Sequence, residues 1–188
     1  MSAVFTPTRY KLSVDEYHKL GEAGVLAADS RVELIEGELI EMAPIGSRHA
    51  AAVSRLHELV YDQSRGLALV WQRNPVALRP RSEPQPDLTL LKYRADHYVE
   101  ALPSAGDVLL VIEVSDTSLE YDRGEKLRLY ATHGIPEYRV VDVQSKRIEV
   151  YWEPDANSYA RKLGFGTDDT VSPRALPQVK VQVGKVVG

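Results

Sequence analysis

The chain contains no cysteine. Disulfides, thiolate zinc centres and cysteine nucleophiles are excluded together, and a cytosolic setting is expected. No apolar run approaches the roughly 20 residues that a membrane helix requires. The opening stretch, Met1 to Pro7, lacks the basic and apolar regions of a secretion signal. The expectation is a soluble, cytoplasmic protein with no membrane partner. Neither a Walker-type phosphate loop nor a G-x-G-x-x-G turn is present, so nucleotide-cofactor readings have no support. His18, His49, His57, His97 and His133 show no H-x-x-x-H spacing, which argues against zinc. Positive charge is also in short supply. With 23 Lys and Arg against 27 Asp and Glu, the net charge is −4. That balance opposes a general nucleic-acid coat, which needs clustered cations to displace counterions from phosphates.

What is present is ordinary for a globular protein: 188 residues, 44% hydrophobic and 27% charged, enough for a substantial core. The reading is a single domain over 1–188, with about 1–12 and 167–188 as peripheral arms. The charges are uneven. Arg73, Arg79 and Arg81 precede Asp87, while Arg123, Lys126 and Arg128 follow Glu113. They form either a basic rim around an acidic site or a solvated edge.

The organising stretch is Asp107-Val-Leu-Leu-Val-Ile-Glu113-Val-Ser115, whose aliphatics fall at both odd and even positions. That pattern predicts a central strand covered on both faces. Before it, Ser13-Val-Asp-Glu16 has the form of a capping box and predicts a helix ending near Gly21 or Gly24. Alternation on either side of Glu36-Gly37 predicts a hairpin. Apolar residues from Ala50 to Val60 recur at helical spacing, and Gly66 closes that helix. Residues 67–71 and 75–79 read as two strands about an Arg73-Asn74 turn, and 80–86 as a loop delivering Asp87 to a further strand. After the central strand come a helix over 121–132, a hairpin of 138–142 with 147–152, and one more strand near 159–163. The Val-rich segment Val179–Val183 reads as a terminal strand or an arm onto a partner chain. The fold class is α/β (α+β): one mixed central sheet flanked by helices, with extra β-hairpins.

Glu113 ends a run that is otherwise leaving water, and a buried carboxylate without a partner costs several kcal/mol, so it pairs, protonates or binds a cation. Asp87 opens another apolar strand. Asp122, Lys126 and Tyr130 are four apart and share a helical face, which would let Asp122 hold the Lys126 ammonium. Two strand-borne carboxylates beside a lysine suggest a metal site. His49, near the start of the long helix, reads as a general base or a phosphate contact. Each residue also has a bland reading: Asp87 as a turn cap, Lys126 as a solvated helix residue, Glu33 on a solvated strand face with Glu36, Glu38 and Glu41, and His49 as a structural histidine.

Five segments, taken in order, carry a resemblance: Glu33-Leu-Ile-Glu-Gly-Glu38, Gln85-Pro-Asp-Leu88, Val111-Ile-Glu-Val-Ser115, Tyr121-Asp-Arg-Gly-Glu-Lys-Leu-Arg-Leu-Tyr130, and Gly134-Ile-Pro-Glu-Tyr138 with Val140-Val-Asp142. Together they resemble the Uma-type restriction endonuclease family of the PD-(D/E)XK nuclease superfamily, over roughly residues 13 to 152. The resemblance implies a restriction-endonuclease-like core and Mg²⁺-dependent hydrolysis of DNA phosphodiester bonds, with Mn²⁺ able to substitute. Asp87 supplies the first acid and Glu113 the second, both as metal ligands, with the carbonyl of Val114 as a third. The superfamily lysine usually stands two residues after the second acid, where this chain has Ser115; Lys126, one helix downstream, takes its place. Glu33 matches an upstream acid. A homodimer would bring two sites to two strands. Two alternatives stand beside the nuclease: a catalytically inactive binding or scaffold domain with the same fold, and a phosphoesterase acting on RNA or small nucleotides.

Overall fold

In the computed structural model, which describes residues 8–27 and 29–188, six strands form one mixed sheet in the order β3-β4-β5-β6-β7-β8. They are β3 (Ala68–Trp71), β4 (Leu88–Lys92), β5 (Val108–Ser115), β6 (Glu137–Asp142), β7 (Arg147–Pro154) and β8 (Tyr159–Phe165). All neighbours run antiparallel except β5 and β6. That parallel step requires a crossover, and the helical stretch between the two strands provides it.

Around the sheet lie the elements whose local sequence chemistry is plainest. α1 (Val14–Glu22) begins at Ser13 with both hydrogen bonds of the capping box. β1 (Val32–Ile35) and β2 (Glu38–Glu41) form the expected hairpin, with Glu36 and Gly37 both at positive φ, 48° and 82°. The turn lies against the chain before α1: a Cβ on Gly37 would stand 2.7 Å from Lys11 Cβ. α2 (Ser47–Ser64) buries Ala52, Val53, Leu56 and Val60, and Gly66 follows at φ 76°.

Both faces of β5 are covered, as the unbroken aliphatic run predicts. Leu110, Ile112 and Val114 join α2 in one apolar cluster. Val108 and Val111 face the other way, into a cluster with Leu127, Tyr130 and Tyr138. Glu113, two residues after Val111, shares that second face, so it points at the crossover helix. The crossover is one continuous helical run: α3 (Leu119–Tyr121), a π-helical turn (Asp122–Lys126) and α4 (Leu127–Thr132). Asp122 O accepts the Leu127 N–H of the widened turn and also the Tyr138 hydroxyl, at 2.9 Å.

Two expectations are corrected. Residues 75–79 are not a strand; Ala77 and Leu78 make only isolated bridges to Ser104 and Ser82, and β3 pairs with β4 instead. Pro75 and Pro80 bracket the segment and donate no backbone hydrogen bonds, so it packs Val76 and Leu78 into the core without joining a ladder. Residues 167–188 are not a peripheral arm either. β9 (Thr170–Val171) pairs with β10 (Val181–Gln182), and α5 (Val183–Val187) follows. Val171, Val179, Val181, Val183, Val186 and Val187 are buried in the cluster with α2. Its valines meet the chain's own apolar helix face, which removes them from water without a partner chain. The N-terminal arm falls largely outside the described residues; within it, Leu12 N–H donates to Gly37 O at 3.0 Å.

No described helix is long and apolar enough to cross a membrane.

Candidate active site

The register of β4 against β5 pairs Leu88 with Ile112, which sets Asp87 beside Glu113. The two acids are clamped crosswise. Asp87 N–H donates to Glu113 Oε2 at 3.2 Å, and Val114 N–H donates to Asp87 Oδ2 at 2.9 Å. Both line a cleft of about 510 Å³, together with Glu33, Val114 and Lys126. The four side chains singled out in the sequence, Asp87, Glu113, Lys126 and Glu33, thus converge from two strands, a helix and a hairpin.

Lys126 is held between two carboxylates, 2.7 Å from Glu33 Oε2 and 3.3 Å from Glu113 Oε1. Burial, the largest influence on its ammonium, opposes the charge; the carboxylates of Glu113 and Glu33 outweigh it and hold the pKa above the ordinary lysine value. Glu113 is pushed the other way for an acid, up to about 8: burial comes first, Lys126 pulls down, and Asp122, Asp87 and Glu33 push further up. Tyr130 O–H donates to Glu113 Oε1 at 2.7 Å, and Gln85 N–H to Glu33 Oε2 at 3.1 Å. Glu33 is therefore not on a solvated strand face; it is 3% exposed.

Asp122 does not hold Lys126. Its Oδ2 accepts from Ser115 Oγ and Ser118 Oγ, each at 2.6 Å. A turn closed from i to i+5 needs more than four residues to come round, so 122 and 126 diverge. Burial raises the Asp122 carboxyl against the pull of the two hydroxyls. Ser115, where the resemblance leads one to expect a lysine, supports Asp122.

Two residues carry more of the site than their sequence context suggested. His49, at the start of α2, places Nε2 2.9 Å from Asp87 Oδ2, and Arg73 Nη2 lies 3.3 Å from His49 Nδ1. A guanidinium only donates, so Nδ1 is the acceptor and the proton sits on Nε2, facing the aspartate. Arg73 Nε also lies 3.7 Å from Asp87 Oδ1. The basic rim is otherwise absent: of the six clustered cations only Arg73 and Lys126 line the cleft. Arg79 pairs with Asp15, Arg123 with Asp142 and Glu149, and Arg128 with Glu36.

Among the described residues, no group of three or more His, Cys, Asp or Glu forms a ready-made metal cage. The donor chemistry nevertheless suits a hard dication. Among the described residues, six acidic side chains and three full cations line the cleft, and Asp122, Asp87 and Glu33 add to the rise that burial chiefly imposes on the Glu113 carboxyl. Mg²⁺ takes one or two protein carboxylates and keeps several waters, so Asp87 and Glu113 suffice as a donor set.

No curated protein matches the sequence. Among solved structures, a protein of Anabaena variabilis described as a "putative nuclease belonging to DUF820" superposes with a TM-score of 0.71. It is 16% identical, and the alignment covers 94% of this chain and 97% of that one, a likeness that speaks for the fold. The sequence itself goes further than the fold: residues 14–184, which span every side chain of the cleft described above, match the model of the Uma2 family, "Putative restriction endonuclease", and the chain belongs to that family.

Proposed function

We propose that this protein is a Mg²⁺-dependent nuclease that hydrolyses DNA phosphodiester bonds. The observation that carries the reading is the crosswise clamp of Asp87 and Glu113 at the floor of an acid-rich cleft, with the buried Lys126 beside them. Family membership supports the reaction class. Asp87 and Glu113 would hold the metal, with the Val114 carbonyl as a third ligand. Bound there, a dication supplies Lewis-acid activation of a phosphoryl oxygen and lowers the pKa of a coordinated water.

The chain's own groups do the rest. Lys126, held charged by its two carboxylates, offers a fixed positive charge to a phosphate oxygen and does not serve as a base. Glu33 positions that ammonium from behind. His49 and the Val114 N–H hold Oδ2 of Asp87, with Arg73 3.7 Å from Oδ1, so the carboxylate is presented in one direction. An inactive binding domain is the second reading, favoured by Ser115 in place of the usual lysine.

Cleavage of plasmid DNA with Mn²⁺, for the native protein, Asp87→Asn and Glu113→Gln, separates the two. The nuclease reading expects a metal-dependent activity lost in both variants. Mn²⁺ binding that persists unchanged in both, or an activity that survives them, refutes it.

A further inference from the structure

Arg73 holds a backbone conformation unusual for its type. It lies in the loop after β3 at φ 52°, a left-handed region that non-glycine residues enter at a cost. Asn74 beside it is of a type that tolerates this region, yet it is the arginine that adopts it. The Arg73 N–H donates to Pro86 O at 3.1 Å, which ties the residue to the chain immediately before Asp87. Its side chain lines the cleft and is 36% exposed there.

Most of the guanidinium's donors are uncommitted. Of its five N–H groups, one meets His49 Nδ1 at 3.3 Å. The approach of Nε to Asp87 Oδ1, at 3.7 Å, is too long for a hydrogen bond. Among the described residues, no other acceptor takes the remaining donors. Arg79, Arg123 and Arg128 differ: each directs its guanidinium to a carboxylate oxygen at 2.7 to 3.0 Å. Two further cations line the cleft. Lys126 is 4% exposed and already lies between two carboxylates, and Arg31 forms no ion pair with Asp87 or Glu113. Arg73 therefore combines solvent access, free donors and the neighbourhood of a proposed metal acid.

Charge says what those donors would take. Six acids against three cations make the cleft hostile to any anion. A phosphodiester enters only beside a cation whose donors are not already occupied. The guanidinium fork matches two oxygens of one phosphate, a geometry that an ammonium lacks. We infer that Arg73 binds a phosphate of the substrate in the cleft, beside Asp87, with His49 holding the guanidinium in place. This rests on the nuclease reading for the identity of the ligand, and it adds the side chain that admits a phosphate past the acids.

A role confined to holding Asp87 predicts a different response to metal. A positive charge 3.7 Å from Asp87 opposes a dication there, so its removal favours the metal unless the carboxylate needs it for position. Arg73→Asn removes the charge and places a residue suited to positive φ; Arg73→Lys keeps the charge and loses the fork. Fluorescein-labelled oligonucleotides, single-stranded and annealed, are titrated in Ca²⁺ over a KCl series, so that binding is read apart from turnover. For whichever form the native protein binds more tightly, Arg73→Asn should weaken binding by about tenfold. It should also lower the slope of log affinity against log salt by about 0.7–0.9. Arg73→Lys should keep the slope and regain only part of the affinity. Without DNA, the Mn²⁺ affinity of Arg73→Asn should stay the same or rise, by up to about fivefold. A slope unchanged in Arg73→Asn, Mn²⁺ affinity lowered by more than about tenfold, or no DNA binding by the native protein overturns the inference. Cleavage in Mn²⁺ keeps the two readings apart. Cleavage by Arg73→Asn with the native KM overturns the role of Arg73 and leaves the nuclease standing. No cleavage by the native protein, with the slope difference intact, overturns the nuclease and leaves the phosphate contact.

Discussion

Lys126→Met keeps most of the side-chain volume and removes one charge, and its effect follows from what Lys126 faces. Lys126 is 4% exposed and its ammonium lies between Glu33 and Glu113, which are 3% and 6% exposed. Removing one partner of a buried ion pair costs about 3–5 kcal/mol because the other is stranded. Proton uptake sets a ceiling on that cost. For an ordinary glutamate it amounts to about 3.7 kcal/mol at pH 7 and about 1 kcal/mol at pH 5. Burial and the neighbouring acids already raise Glu113, so Glu33, whose Oε2 lies 2.7 Å from the ammonium, is the carboxylate left without its cation. The sign follows from linkage: an acid whose folded pKa is raised destabilises the fold increasingly as pH climbs above its unfolded value. The variant should therefore lose about 3 kcal/mol at pH 7 and about 1 kcal/mol at pH 5. Glu33→Gln added to Lys126→Met should recover most of the loss at pH 7. Urea unfolding of the native protein, both single variants and the double at the two pH values measures all of this. A loss below about 1 kcal/mol at pH 7, or the same loss at both pH values, would show that the cluster is not governed by buried charge.

Glu113 itself predicts pH behaviour. With its pKa raised to about 8, the metal-free fold should lose stability as pH rises from the ordinary glutamate value towards 8. Mn²⁺ should bind more tightly over the same window, by up to about tenfold per pH unit, with proton release visible by calorimetry in two buffers; affinity flat from pH 6 to 8 would contradict it. A chain stopped after Gln178 forfeits the buried Val179, Val181, Val183, Val186 and Val187. At about 1.5–3 kcal/mol per buried valine, the loss is comparable to the whole stability of a typical domain, and circular dichroism should show no cooperative melting. Gly37→Ala meets both a positive φ and a Cβ contact of 2.7 Å, whereas Gly66→Ala meets a positive φ in open space. The first should cost about 2–4 kcal/mol and the second about 1–2; equal melting temperatures would refute the steric account.

Legibility in the sequence tracked the range of the interactions. Ser13 with Glu16, the Glu36-Gly37 turn and the β5 aliphatics announce themselves within a few residues. Glu113 was readable because a carboxylate in an apolar run is a local contradiction; Asp87, just after Pro86, reads equally as a turn cap and was singled out by the resemblance. Glu33 was misleading: its neighbours on the hairpin are acidic, and only a lysine 93 residues away makes its face an interior one. His49 and Arg73 reach Asp87 from α2 and the loop after β3, and no local spacing encodes that meeting. The π-helical turn was invisible for a related reason. Its sequence fits an ordinary helix, and the widened turn shows only where Ser115 and Ser118 take Asp122 and the two glutamates take Lys126.

The valine-rich cover over α2 also has a temporal meaning. Arg55 on that helix meets the carbonyl of Val186, 131 residues further along the chain. At synthesis rates of 5–20 residues per second, roughly 7 to 26 s separate the emergence of the two. Throughout that interval the apolar stripe of Ala52, Val53, Leu56 and Val60 lacks the valines that finally seal it. Newborn chains therefore pass through a sticky adolescence, during which a holdase, or a neighbouring nascent copy, competes with the protein's own late-arriving lid.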